Sequence, residues 1–164
     1  MKTTQRTGEQ GMSLIEMMVV VIIVAMCALW GMHSWRGYQQ ALKLEQHAQR
    51  LRLYLYGVQT EANNHNRSAV LWVMSGTGGC VGTGLRSVDC TAAGGKVFVV
   101  NDPEIELLDF SDNATGFYGL RNSAMPGHLT LKNAAGSLRL VLSARGRLRV
   151  CSEHQSLLGI ASCQ

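Results

Sequence analysis

Proline is nearly missing from this chain, with two in 164 residues, and neither falls between Met12 and Ala62. That scarcity, beside 46% hydrophobic residues, excludes a disordered chain. Charge is thin as well, at 16% of residues and a net +4, too little to name a partner by itself. From Met17 to Trp35 formal charge is absent. The signatures of catalysis are lacking too. His33, His47, His65, His128 and His154 stand apart in sequence, no GxSxG or HExxH occurs, and no phosphate-binding glycine loop precedes a helix. The chain reads as a non-enzyme, with no cofactor and no metal. A zinc site at Cys151, His154 and Cys163 is the rival reading, and no CxxC pair accompanies it.

What is present is unevenly spread. Met17 to Met32 holds fifteen hydrophobic residues and one glycine, and without it the remainder is about 40% apolar, an ordinary value for a small soluble domain. A membrane helix joined to a glycine-rich head fits this contrast better than a soluble cytosolic enzyme. The nineteen residues from Met17 to Trp35 cover roughly 28 Å as a helix. Lys2 and Arg6 precede them, which places the N-terminus in the cytoplasm and the head outside. Four of the five cysteines, Cys80, Cys90, Cys151 and Cys163, lie in the head. Pairing neighbours closes two short loops, each worth on the order of 3 kcal/mol in an oxidising compartment. Four cysteines permit three connectivities, so this pairing rests on proximity.

The first eleven residues, MKTTQRTGEQG, are polar and end in Gly11. A secretory signal has its apolar region before the cleavage site; here the apolar region follows the glycine. Cleavage after Gly11 therefore leaves the hydrophobic helix on the mature chain. Glu16 stands at the edge of that helix, where a carboxylate costs about 2.5 to 3.5 kcal/mol on insertion scales near the helix centre. The plain explanation is a charge at the membrane edge. The functional one comes from its neighbours.

Gly11-Met12-Ser13-Leu14-Ile15-Glu16, followed by an unbroken apolar helix, resembles the class III signal of type IV prepilins and type II secretion pseudopilins. The resemblance implies that a prepilin peptidase cuts between Gly11 and Met12 and methylates the new amino group of Met12. It also implies that Glu16 meets the terminal amine of a neighbouring subunit during assembly. Met12 departs from the phenylalanine commoner at that position.

Beyond Trp35, Ala41, Leu44, Ala48, Leu51, Leu55, Val58 and Ala62 recur at alternating steps of three and four, an amphipathic helix face. Lys43, Glu45, Gln49, Arg50, Arg52 and Gln59 occupy the other faces. A coiled coil gives the same spacing, though its alanines make a weak zipper, and packing against the head's sheet is preferred. Asn63, Asn64 and Asn66 form a stop. One helix from Met12 to Ala62 follows, about 76 Å long.

The head shows six strand-like segments: Ala69 to Met74, Lys96 to Val100, Phe117 to Leu120, His128 to Lys132, Leu138 to Ser143 and Arg147 to Cys151. Turns at Asn133 to Gly136 and at Ala144 to Gly146 join the last three into a meander. Gly76 to Gly84 reads as a flexible, disulfide-tied loop. Trp72 and Phe98 read as core of a half-buried sheet.

Long helix, antiparallel sheet and C-terminal disulfide together match the α+β type IV pilin fold. GFYGLRNSAMPGHLTLKN and GSLRLVLSARGRLRVC resemble the minor pilins and pseudopilins of the FimT, FimU and GspH class. The domains expected are a leader at 1–11, a transmembrane and polymerisation helix at 12–35, an amphipathic helix at 36–66 and a periplasmic head at 67–164. The partners implied are the prepilin peptidase, other minor and major pilins or pseudopilins, and the inner membrane assembly platform. Localisation is the inner membrane, with passage into a pilus or pseudopilus.

Charge placement adds one further candidate. Asp102, Glu104, Glu106, Asp109 and Asp112 form an acidic block, and Lys132, Arg139, Arg145, Arg147 and Arg149 a basic one. Solvated loops and strand faces are the ordinary reading. Gly146-Arg147-Leu148-Arg149 resembles the GRxR motif with which certain FimT-type minor pilins bind DNA. On a strand Arg147 and Arg149 share a side, and Arg145 and Arg139 enlarge the patch.

Overall fold

A computed structural model describes residues 13–86, 88–90, 97–108, 115–119 and 123–163, less the side chains of residues 33 and 34. The chain divides after Arg36 into an N-terminal helical unit and a larger unit beginning at Gly37. One helix, α1, runs through Leu14–His65, 52 residues. Its first turn is set by Ser13, whose carbonyl accepts hydrogen bonds from the amides of Glu16 and Met17. Ser13 and Glu16 have the spacing of a capping box. The other end closes with Asn66 in the left-handed region at φ 47°. The amides of Asn66 and Arg67 bond back to the carbonyls of Asn63 and Ala62, the paired bonds of a Schellman cap. The helix therefore ends three residues beyond the expected Ala62, at a cap that an asparagine satisfies.

Among the described residues ten strands follow: β1 Ala69–Met74, β2 Gly76–Thr77, β3 Cys80–Thr83, β4 Val97–Val99, β5 Glu106–Leu108, β6 Gly116–Tyr118, β7 Ser123–Met125, β8 Gly127–Asn133, β9 Gly136–Leu142 and β10 Leu148–Ser152. They form two five-stranded antiparallel sheets, ordered β4-β3-β1-β6-β7 and β10-β9-β8-β5-β2. Among its crossings between the sheets, the chain passes from β1 to β2 at Ser75 and from β7 to β8 at Pro126. Proline suits the β7–β8 crossing because it has no amide proton for a ladder to lose.

Within the larger unit the helix presents the expected stripe. Ala41, Leu44, Ala48, Leu51, Leu55, Val58 and Ala62 are all buried. All but Ala41 join one core with Leu71, Val73, Val81, Phe117 and Ala124 from the first sheet, and Leu129, Leu131, Leu138, Leu140 and Leu148 from the second. Each fully buried leucine adds about 1.5 to 3 kcal/mol of transfer free energy. Hydrogen bonds from Asn133 Nδ2 to the Gln40 carbonyl, 2.8 Å, and from Gln59 Nε2 to the Gly146 carbonyl, 3.0 Å, fix the second sheet along this stretch of helix. Trp72 is core, and Phe98 packs at its edge beside Tyr54, with ring centroids 5.9 Å apart.

Three expectations need correction. Gly76 to Gly84 is not a loop, because it contains β2 and β3. Two of its glycines are there for close packing: a Cβ on Gly82 would stand 2.2 Å from the Trp72 ring, and one on Gly79 would stand 2.5 Å from the Met74 carbonyl, while Gly76, Gly78 and Gly84 take positive φ. The expected meander of β8, β9 and β10 forms, but the head has two sheets rather than one, and β5, a strand the sequence reading missed, borders β8. The final strand begins at Leu148 rather than Arg147. Lys96 and Leu120, ends of two expected strands, lie outside the described residues.

Candidate functional site

The N-terminal unit is the first candidate. Leu14, Ile15, Met17, Met18 and every aliphatic residue through Val24 are exposed, and so are Met26 and Leu29. Val19 to Val24 is a run of six β-branched residues, which favours helix poorly in water. In hydrocarbon the balance reverses, because each backbone amide and carbonyl must be satisfied within the segment. α1 is long and apolar enough to cross a membrane. Glu16 lies in its first turn and is exposed. A carboxylate there complements the partial positive charge of the helix N-terminus, worth about 0.3 to 1 kcal/mol at an exposed site. Gly11 and Met12, the expected processing residues, lie outside the described residues.

Covalent ties in the head join Cys80 to Cys90 and Cys151 to Cys163, leaving Cys27 as the free cysteine. The second bond takes up both sulfurs of the rival zinc reading. Beyond β10 the tail folds back: the amides of Ser152 and Cys163 bond to the carbonyls of Ala161 and Ser152.

Charge in the head separates into satisfied and unsatisfied groups. Lys43 Nζ is 2.8 Å from Glu104 and 3.9 Å from Asp102, so much of the acidic block neutralises a lysine of α1. Its Glu104 hydrogen bond, with Asp102 adding charge, raises the Lys43 pKa. Glu106 faces Lys132 across the β5–β8 ladder. Asp109 and Asp112 lie outside the described residues. Arg139 does not join the arginine patch, because its guanidinium bonds to Glu153, as does the Thr130 hydroxyl. Sequence reading missed this pair, which depends on the register placing Arg139 opposite Cys151 and on the tail's return. Arg145, Arg147 and Arg149 are exposed, while Gly146 and Leu148 between them are buried. The β9–β10 turn and the start of β10 thus display three arginines outward, and no acid pairs with them among the described residues.

Glu153 carries a pH prediction. Burial alone raises its pKa, but hydrogen bonds from Ser137, Arg139 and Thr130, with the Arg139 charge, outweigh that and lower it. A depressed carboxylate stabilises the fold above its unfolded pKa of about 4.3, and this contribution fades as pH falls through the lower folded value. The wild-type melting temperature should therefore drop more steeply below about pH 4 than that of Glu153→Gln, measured by circular dichroism. Parallel curves would remove Glu153 from the acid response.

Residues 6–32 match the family model described as the prokaryotic N-terminal methylation motif. The match supports a type IV pilin-like or pseudopilin protein, a structural subunit, and it implies processing by prepilin peptidase and assembly among pilins. With the apolar helix it also supports membrane anchoring. Long apolar helix, antiparallel sheets and C-terminal disulfide fit the α+β type IV pilin fold. No curated protein and no solved structure matches the chain.

Proposed function

We propose that this chain is a minor pilin of the FimT, FimU and GspH class that primes or occupies the tip of a type IV pilus. The observation that carries the reading is the exposed apolar helix from Leu14 to Trp35 behind a methylation motif. A surface so apolar requires lipid or other helices around it. The leader at 1–11 is removed between Gly11 and Met12, and the new amine is methylated. The helix at 12–35 spans the inner membrane with the head at 67–164 in the periplasm, and the segment at 36–66 ties the two together.

Assembly moves the same helix from lipid into a bundle of pilin helices supplied through the inner membrane platform. Met12 is two residues before the helix start at Leu14 in sequence, and a positive charge at a helix N-terminus opposes the helix dipole. Glu16 from a neighbour answers that charge, and a carboxylate buried with a cation costs far less than one left alone. Expression of tagged protein in a piliated host, followed by shearing, tests the reading: the subunit should appear in trace amounts in the fibre fraction. Its confinement to the membrane, with loss of secretion on deletion, would favour the alternative machine, a type II secretion pseudopilus.

A specific observation also favours a second reading, binding of DNA. Arg145, Arg147 and Arg149 project from one turn and strand start, with Arg139 already engaged by Glu153. Such a patch contacts phosphates with little sequence preference and with steep salt dependence. A gel shift of the detergent-purified chain on duplex DNA should weaken about tenfold or more in the Arg147→Gln, Arg149→Gln double variant at moderate salt. Equal binding by the variant would exclude those residues from the contact.

A further inference from the structure

Past Leu29 the exposed side chains of α1 change character. Trp30 is 85% exposed, Trp35 60% and Tyr38 49%, and Arg36 is the first formally charged residue after Glu16. Buried residues of the larger unit begin only at Ala41. Three large rings and a guanidinium are thus displayed between the aliphatic run and the core-forming stripe. Indole and phenol rings pair an apolar body with a polar N–H or O–H, which suits the boundary where hydrocarbon gives way to headgroups. An arginine stem lies along apolar surface while its guanidinium reaches phosphate bidentately. The distances agree. Leu14 to Trp30 is seventeen residues of α1, about 24 Å of helix, which fits within a hydrocarbon core of about 30 Å.

We propose that Trp30, Trp35 and Arg36 form a belt that seats in the phospholipid headgroup layer of the outer leaflet and sets the depth of the helix before assembly. This rests on the membrane-spanning reading of the helix. It moves the end of the hydrocarbon span from Trp35 back to Trp30. Upright helices held at one depth keep Glu16 inside the hydrocarbon, about 21 Å along the helix from Trp30. Cys27 lies about 4.5 Å inside the outer boundary by the same rise.

The test uses the full chain reconstituted into phosphatidylcholine vesicles whose acyl chains carry bromine either near the glycerol or near the terminal methyl. Trp72 is buried in the head core and supplies a constant background. Subtracting the emission of a Trp30→Phe, Trp35→Phe variant isolates the signal of the belt. Bromine near the glycerol should quench that difference signal severalfold more than bromine near the bilayer centre. Stronger quenching by the deep bromine, or none in vesicles that carry the chain, overturns the belt while leaving the membrane span intact. Failure of the chain to float with the vesicles overturns the span and the belt together. As a second readout, a membrane-impermeant maleimide should leave Cys27 unlabelled in vesicles and label it after denaturation in detergent. Labelling in intact vesicles contradicts the assigned depth.

Discussion

Glu16→Ala should leave leader removal intact and eliminate the subunit from the fibre fraction. On the proposed function, cleavage depends on the residues around Gly11, whereas Glu16 acts later, when the helix leaves lipid for a bundle of pilin helices. Removing one partner of a buried pair costs about 3 to 5 kcal/mol, because the other charge stays unpaired. That corresponds to a loss on the order of a hundredfold to several thousandfold in incorporation. The capping-box spacing of Ser13 and Glu16 offers a competing role, since an N3 side chain also serves its own helix end. Glu16→Gln separates the two. Glutamine keeps the capping capacity and lacks the charge, so its failure to incorporate assigns the effect to pairing, and its success assigns it to capping. Immunoblots of sheared fibres and membranes read out both steps.

The second large effect concerns the head. Leu51 is fully buried on the helix stripe, whereas Leu53, two residues on, is 69% exposed. Leu51→Ala should cost about 2 to 5 kcal/mol, through lost transfer free energy and the cavity left between helix and sheets. That is a large share of the roughly 5 to 15 kcal/mol that holds a domain together. Leu53→Ala should change stability by less than about 0.5 kcal/mol. Urea titrations of the full chain in mild detergent, followed by near-ultraviolet circular dichroism, distinguish the two. Equal midpoints would mean that the helix stripe is not the core of the head.

The helix stripe was legible in sequence because seven apolar positions at three-and-four spacing leave one face to bury, and that face is the one buried. The strands from Gly127 to Ser152 were legible for a similar reason, with alternation broken by glycine turns. The strands that escaped notice are short or glycine-rich. β3 contains Gly82, and a glycine in a strand ordinarily signals weakness; its purpose emerges only when Trp72 is seen lying across it. The Arg139–Glu153 pair escaped because it joins a strand to a returning tail. Three arginines of the basic block therefore remain outward where four were counted. At the N-terminus the relation is reversed. The motif from Gly11 to Glu16 is explicit in sequence, while a single chain displays only the helix it would place among its neighbours.

The central claim is that this chain is a prepilin whose leader is removed to release a polymerisation helix. Intact mass and N-terminal sequencing of the protein from host membranes test it most directly. The account predicts a mature chain that begins with N-methylated Met12, has lost Met1 to Gly11 and retains the whole apolar helix. A chain still beginning at Met1 in a host with active prepilin peptidase, or one cut beyond the apolar helix, would contradict it.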